Sequence, residues 1–347
     1  RPLNSITSIL LPWYPQTSAS IDQRISAIKA IILDFPDIAW EVLLGLLPNQ
    51  HQASSGTHKP IWFIELPQDW PLKVKGEEYL AQVSAYACLA VEMADEDFGK
   101  LSELVSFLDN LPPPAFNRLL EHLSSNRIIN LEEKKRLPIW INLIAFITKH
   151  RRYSEAKWAL SADIVSKIED VANALKPTTP EGLYGRLFTD RNYDLYEEGG
   201  DIEEQDKQLK DRRQEGINEV IAVSGLGGVV AFASMVESPD QVGLSLASIL
   251  ADDMDCSLLP QYLDTGVAEH KRLISGFIWQ RYQDEGLHWI DNLSRADWTV
   301  KQIGEFLLSL PFQPVIWDRV SAWLGSNENL YWRQVSVNPY PIDDGLE

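Results

Sequence analysis

Ser20–Pro48, SIDQRISAIKAIILDFPDIAWEVLLGLLP, is the stretch that decides the fold. Its first half sets Ile21, Ile25, Ile28, Ile31 and Ile32 along one helical face, with Ser20 where an N-cap belongs. Phe35-Pro36-Asp37 interrupts the pattern. A second apolar face follows in Ile38, Trp40, Val42, Leu43 and Leu46, and Leu47-Pro48 ends it. Proline donates no backbone hydrogen bond and pushes the residue before it out of the α region. Two amphipathic helices joined by so short a break predict an αα-hairpin.

The same punctuation recurs outward from this hairpin. Leucine directly precedes proline at Pro12, Pro48, Pro67, Pro112, Pro138, Pro260 and Pro311, and each pair predicts a helix boundary beside a buried leucine. Helical periodicity fills residues 76–93, 98–111, 114–123, 131–150, 161–175, 201–223, 239–250, 265–293, 298–308, 314–324 and 328–335, with a break near Gly286. Pro138 falls early enough in its run to kink or restart the helix. Residues 49–70 show no clear period and read as a long connecting loop with some extended backbone at 61–64. No strict repeat length emerges. The expected fold is all-α, an irregular α-solenoid of helical hairpins of the HEAT or TPR kind. It divides into an N-terminal array over 1–176, a connecting segment over 177–202 and a C-terminal array over 203–347. Trp40, Trp140, Trp158, Trp279 and Trp289 are expected on apolar helical faces, filling gaps between helices.

Composition narrows the functional classes. Apolar residues make up 45% and charged residues 23% of the 347, a globular balance. The net charge of −19 repels phosphate backbones and anionic membranes, so nucleic acid is disfavoured as the main ligand. No apolar run reaching the ~18 residues of a membrane span is read, and no signal-peptide pattern stands at the start. Cys88 and Cys256, far apart in sequence, are read as reduced thiols of a cytoplasmic protein. A chain that opens at Arg1 and enters a helical pattern within a few residues is expected to be a piece of a longer polypeptide.

Few side-chain groupings suggest chemistry. His51 and His58 share the long loop with Lys59, but no thiolate, close carboxylate or HExxH spacing accompanies them, so no metal is expected there. Lys149-His150-Arg151-Arg152 is the one dense basic run. At a helix C-terminus it complements the negative end of the dipole; an acidic partner or a phosphate is the functional alternative. Ser224-Gly225-Leu226-Gly227-Gly228 fits neither GxGxxG nor a P-loop and reads as a helix turn ended by glycine. Asp252-Asp253 and Asp255 fail the EF-hand spacing and read as a solvated turn. No nucleophile motif is present and no cofactor is expected.

Several words recur that carry a family likeness: Leu11-Pro12-Trp13-Tyr14-Pro15-Gln16-Thr17, Leu47-Pro48-Asn49-Gln50-His51, Thr57-His58-Lys59-Pro60, His150-Arg151-Arg152, Trp158-Ala159-Leu160, Leu187-Phe188, Leu310-Pro311-Phe312 with Trp317, and Tyr331-Trp332. Together they resemble the helical region of very large bacterial proteins. In these an effector or NTPase domain precedes a long helical array, and some members resemble anti-phage defence proteins. The resemblance implies a scaffold or sensor region separated from its effector domain. It transfers no catalytic residue. The expectation is a non-catalytic array that binds a protein or mediates assembly. The rivals are a metal-dependent or hydrolytic enzyme built on the His51/His58 loop, and a plain structural spacer.

Overall fold

A computed structural model describes residues 2–48, 74–196 and 201–336. Among them every regular element is helical, and the chain separates into two compact units, Arg1–Lys176 and Pro177–Glu347.

The first unit runs through α1 (Pro2–Leu10), α2 (Ile21–Asp34), α3 (Pro36–Leu46), α4 (Gly76–Ala94), α5 (Phe98–Val105), α6 (Pro113–Leu123), α7 (Asn126–Ile129), α8 (Glu133–Arg152) and α9 (Ala162–Leu175). The opening hairpin forms as its sequence predicts. Ser20 accepts from the Gln23 amide while the Gln23 side chain accepts from the Ser20 amide, so two orphan donors of α2 are satisfied reciprocally. Pro36 then opens α3, where its missing N–H costs nothing. α3 packs on α1, α2 and α4; α4 on α5 and α6; α5 on α8; and α8 on α9. Ile28, Val42, Leu43 and Leu46 are fully buried at the hairpin, each contributing about 1.5–3 kcal/mol relative to exposure.

The second unit runs through α10 (Pro180–Tyr184), α11 (Ile202–Ala233), α12 (Pro239–Ala247), α13 (Leu259–Tyr262), α14 (Ala268–Glu285), α15 (Leu287–Asn292), α16 (Val300–Leu308), α17 (Pro314–Leu324) and α18 (Asn329–Trp332). One contiguous core from Leu187 to Tyr331 holds it together, with Phe188, Phe232, Phe277 and Phe306 fully buried. α12 and α14 lie closest, because both turn glycines to each other. A Cβ on Gly243 would overlap the Leu273 carbonyl, and one on Gly276 would overlap that of Asp240. The sequence reading passed over both glycines.

α11 is the one helix among the described residues that is long and apolar enough to cross a membrane by length and composition. No such run is expected from the sequence, where Ser224–Gly228 reads as a turn. The backbone does break there: Gly225 has φ 64° and ψ −169° inside an otherwise continuous helix. Val220, Val229 and Phe232 on either side of that kink are buried in the core of the unit.

Of the Leu-Pro pairs, those at Pro12, Pro48, Pro112 and Pro311 flank helix ends, and Pro260 lies in the first turn of α13. Pro67 is outside the described residues. Pro138 lies inside α8, which runs through it. One lost backbone bond is outweighed by the face that α8 buries in Ile139, Trp140, Leu143 and Phe146.

Two local expectations are corrected. Trp158 lies in a turn beyond α8, 37% exposed, and Trp279 is 42% exposed on α14; Trp40, Trp140 and Trp289 are the buried ones. Asp255 does not sit in a solvated turn. It is 2% exposed, and its carboxylate accepts from Arg281 at 2.9 Å and from the Trp289 indole at 2.8 Å. A buried carboxylate survives only when paired and hydrogen-bonded, and removing one partner of such a pair typically costs about 3–5 kcal/mol. That need holds the 252–257 turn onto α14 and α15. Neither Cys88 nor Cys256 is joined in a disulfide.

Candidate functional site

A concave surface of the first unit begins where α1 ends. Pro12 stops the helix and leaves the Leu10 carbonyl without an intrahelical donor. Gln82 and Tyr86 of α4 supply the donors, Gln82 Nε2 at 3.3 Å and Tyr86 Oη at 3.4 Å. Gln82 also donates to Tyr86 Oη at 2.7 Å, and burial pushes the Tyr86 phenol above its ordinary pKa, which keeps it a donor. This buried clasp sets the direction of the chain that follows and puts Trp13 at the mouth of a groove.

The groove has a volume of about 620 Å³. Trp13 and the α4 residues Tyr79, Leu80 and Val83 line one side, and Leu111 with Pro112 and Pro113 lines the other. Leu80 is 63% exposed and Trp13 38% exposed, so two large apolar side chains of its rim stay partly exposed. A 3-10 turn, Leu108–Asn110, adds Asp109 as an acidic group at the wall.

Asp109 connects the groove to the basic run at the end of α8. Lys149 Nζ stands 3.8 Å from its carboxylate and His150 Nε2 stands 3.7 Å from it. His150 is 1% exposed, between Phe146 and Trp158, with ring centroids at 4.4 and 5.4 Å. The Leu160 amide donates to its Nδ1 at 3.0 Å. A backbone N–H can only donate, so Nδ1 is unprotonated and the neutral ring carries its proton on Nε2, toward Asp109. Burial lowers the imidazole pKa; Asp109 opposes this and Lys149 reinforces it. Lys149 also lies over the Trp158 ring at 5.1 Å.

The four residues of the run therefore do not form one basic patch. Successive helical side chains diverge by about 100°. Arg151 turns to Glu169 of α9 at 2.6 Å, and Arg152 lies over the Tyr153 ring at 5.2 Å. All four occupy the last turn of α8, where positive charge complements the helix dipole. His51, His58 and Lys59 lie outside the described residues. Among the described residues no cluster of three or more histidine, cysteine, aspartate or glutamate side chains is placed to hold a metal.

The basic run is legible in the sequence and the groove beside it is not. Its signals are the Leu11–Thr17 word containing Trp13, and Leu80 on the apolar face of α4. Periodicity assigns Leu80 to a buried face, and only the packing shows that most of it stays exposed. Comparison with protein-family models, with curated proteins and with solved structures finds no match to this chain.

Proposed function

We propose that this chain is a non-catalytic helical scaffold or sensor region, built as an irregular HEAT- or TPR-like array, that binds a protein partner through the groove of its first unit. The observation that carries the reading is the uncovered apolar rim of Trp13 and Leu80 around a groove of about 620 Å³. Contiguous apolar surface rimmed by polar groups is what a protein interface leaves exposed when its partner is absent. Half-exposed tryptophan is a favoured anchor in such interfaces. The resemblance to helical regions of large bacterial proteins supports a partner-binding role within a longer polypeptide, with anti-phage defence as the process to examine first. The acidic balance of the chain favours a partner with a basic rim.

The test is site-specific photo-crosslinking in cells, with the reactive group at position 13 or 80 and, as a control, at exposed Glu121 on α6. A discrete crosslinked protein is expected from the groove positions and not from the control, and Leu80→Asp abolishes the crosslink formed from position 13. Equal or absent crosslinking at all three positions rules the groove out.

A further inference from the structure

The opening hairpin is apolar beyond the face it buries. Where α2 ends and α3 begins, Leu33 is 84% exposed, Phe35 58% and Ile38 44%. Phe35 is the single residue between the two helices. The side chains that hold the hairpin together are others: Ile28, Ala39, Val42 and Leu43 are fully buried. Hydrophobic stabilisation scales with the apolar area removed from water, so the fold gains little from Leu33 and Phe35 at this tip.

Beside the tip, a groove of about 450 Å³ opens between α2 and α4. Lys29, Ile32 and Leu33 form one wall, and Leu89, Glu92 and Met93 form the other. Met93 contributes a flexible thioether that adapts to what it meets. At ~150 Å³ for a benzene-sized group, the volume takes about three apolar side chains. Three is the number that a helix presents along one face at i, i+3 or i+4, and i+7. The groove lies on another face of α4 from the one that Trp13 lines. Leu89 follows Leu80 by nine residues, about half a turn round the helix at ~100° per residue.

The lining itself is balanced by Lys29 and Glu92, but its surroundings are acidic. Asp34, Asp37 and Glu41 belong to the hairpin. Asp95, Glu96 and Asp97 follow Glu92 at the end of α4. Against these seven carboxylates stand four lysines and arginines: Lys29, Lys100, Arg118 and Arg127. Lys100 pairs with Asp37 and Asp97, Arg118 with Glu92, and Arg127 with Asp95, where His122 also stands at 2.8 Å. Asp34, Glu41 and Glu96 enter no ion pair among the described residues. Two such acidic tips repel each other and are repelled by an anionic membrane, so neither a second copy nor a lipid surface suits the exposed apolar groups. A cationic partner does. We propose that the groove between α2 and α4, together with Leu33, Phe35 and Ile38 at the tip, docks a basic amphipathic helix of a partner protein. The apolar face of that helix fills the groove, and its lysines or arginines meet the acidic surroundings. This docking is independent of the groove lined by Trp13.

The experiment follows the fluorescence anisotropy of a labelled peptide titrated with the whole chain at physiological salt. The probe is a leucine–lysine peptide of about five helical turns, with leucines at i, i+3, i+4 and i+7. One control has the same composition with the leucines out of period, and a second replaces every lysine by glutamate. Saturable binding of the periodic lysine peptide is expected, with a gain in its helicity, and no binding of either control. Leu33→Asp should weaken the binding by ~tenfold or more, although it adds a charge that attracts lysine. Leu33 is exposed enough for the variant to keep its fold, which circular dichroism verifies. Asp34→Lys with Glu96→Lys should also weaken it. Leu80→Asp puts the same charge into the Trp13 groove and should leave the affinity unchanged, so the two surfaces are read separately. No saturable binding, equal binding of the out-of-period peptide, or an affinity unchanged by Leu33→Asp or lost in Leu80→Asp overturns the proposal. So does self-association of the parent chain that Leu33→Asp abolishes, which gives the tip to a second copy.

Discussion

The imidazole of His150 is neutral by construction: it is enclosed by Phe146 and Trp158 and spends Nδ1 on a backbone amide. Because burial lowers its folded pKa below the ordinary ~6.5, the unfolded chain takes up a proton first as pH falls. The stability His150 contributes is therefore full above pH ~6.5 and is lost as pH drops from there toward the folded value. His150→Gln retains an acceptor for the Leu160 amide but does not titrate. Its destabilisation relative to the parent should be larger at pH 7.5 than at pH 5.5, measured by urea unfolding at both. An equal difference at the two pH values would remove His150 as the titrating group. The same kind of reasoning separates two tryptophans that look alike in the sequence. Trp40 is 5% exposed with its indole donating to Glu103 at 2.7 Å, whereas Trp158 packs against His150 and Tyr153 and stays 37% exposed.

Helices in the second unit depend on glycine in two different ways. At Gly243 the need is for space, since α14 backbone occupies the place a side chain would take. At Gly225 the need is for conformation, since φ 64° with ψ −169° is open only to glycine and a Cβ there would meet nothing within 4 Å. Gly243→Ala should therefore cost about 3 kcal/mol or more, because neither helix can yield without disturbing the shared core. Gly225→Ala should cost about 1–3 kcal/mol from backbone strain alone. Denaturant midpoints of the two variants check the order, and a Gly243→Ala midpoint equal to that of the parent would show that α12 and α14 do not approach so closely.

Taken as a whole the molecule is strongly acidic, and its positive groups are dispersed. The densest basic run is divided, with Lys149 and His150 at Asp109 and Trp158, Arg151 at Glu169 and Arg152 over Tyr153. A field set by −19 charges is screened only beyond ~8 Å at physiological salt, so it acts on any phosphate that reaches the surface. Duplex or single-stranded nucleic acid should bind no more tightly than ~10⁻⁴–10⁻⁶ M at that salt. Titration of labelled strands checks this, and sub-micromolar binding lost in the Arg151→Ala, Arg152→Ala double variant would reveal a groove of positive charge.

The helical character of the chain, and most helix ends, were legible in local chemistry. Ser20 with Gln23, Pro36, Gly286 and Pro314 act on their own few neighbours, and capping, ring closure and positive φ are short-range effects that sequence order exposes directly. The apolar face of α3 was legible for the same reason, since a 3.6-residue period is a property of one helix. Other features depend on which helix meets which. Leu80 lies on an apolar face yet stays uncovered, and Asp255 lies in an acidic run yet is buried against Arg281 from a different helix. Gly243 and Gly276 matter only because α12 and α14 cross at them. Arg213 is pinned by neutral oxygens drawn from residues 187–192 and from α12. Both grooves of the first unit belong to this second group. A binding surface is defined by what packing leaves uncovered or unpaired, and that is decided by contacts between residues distant in the chain.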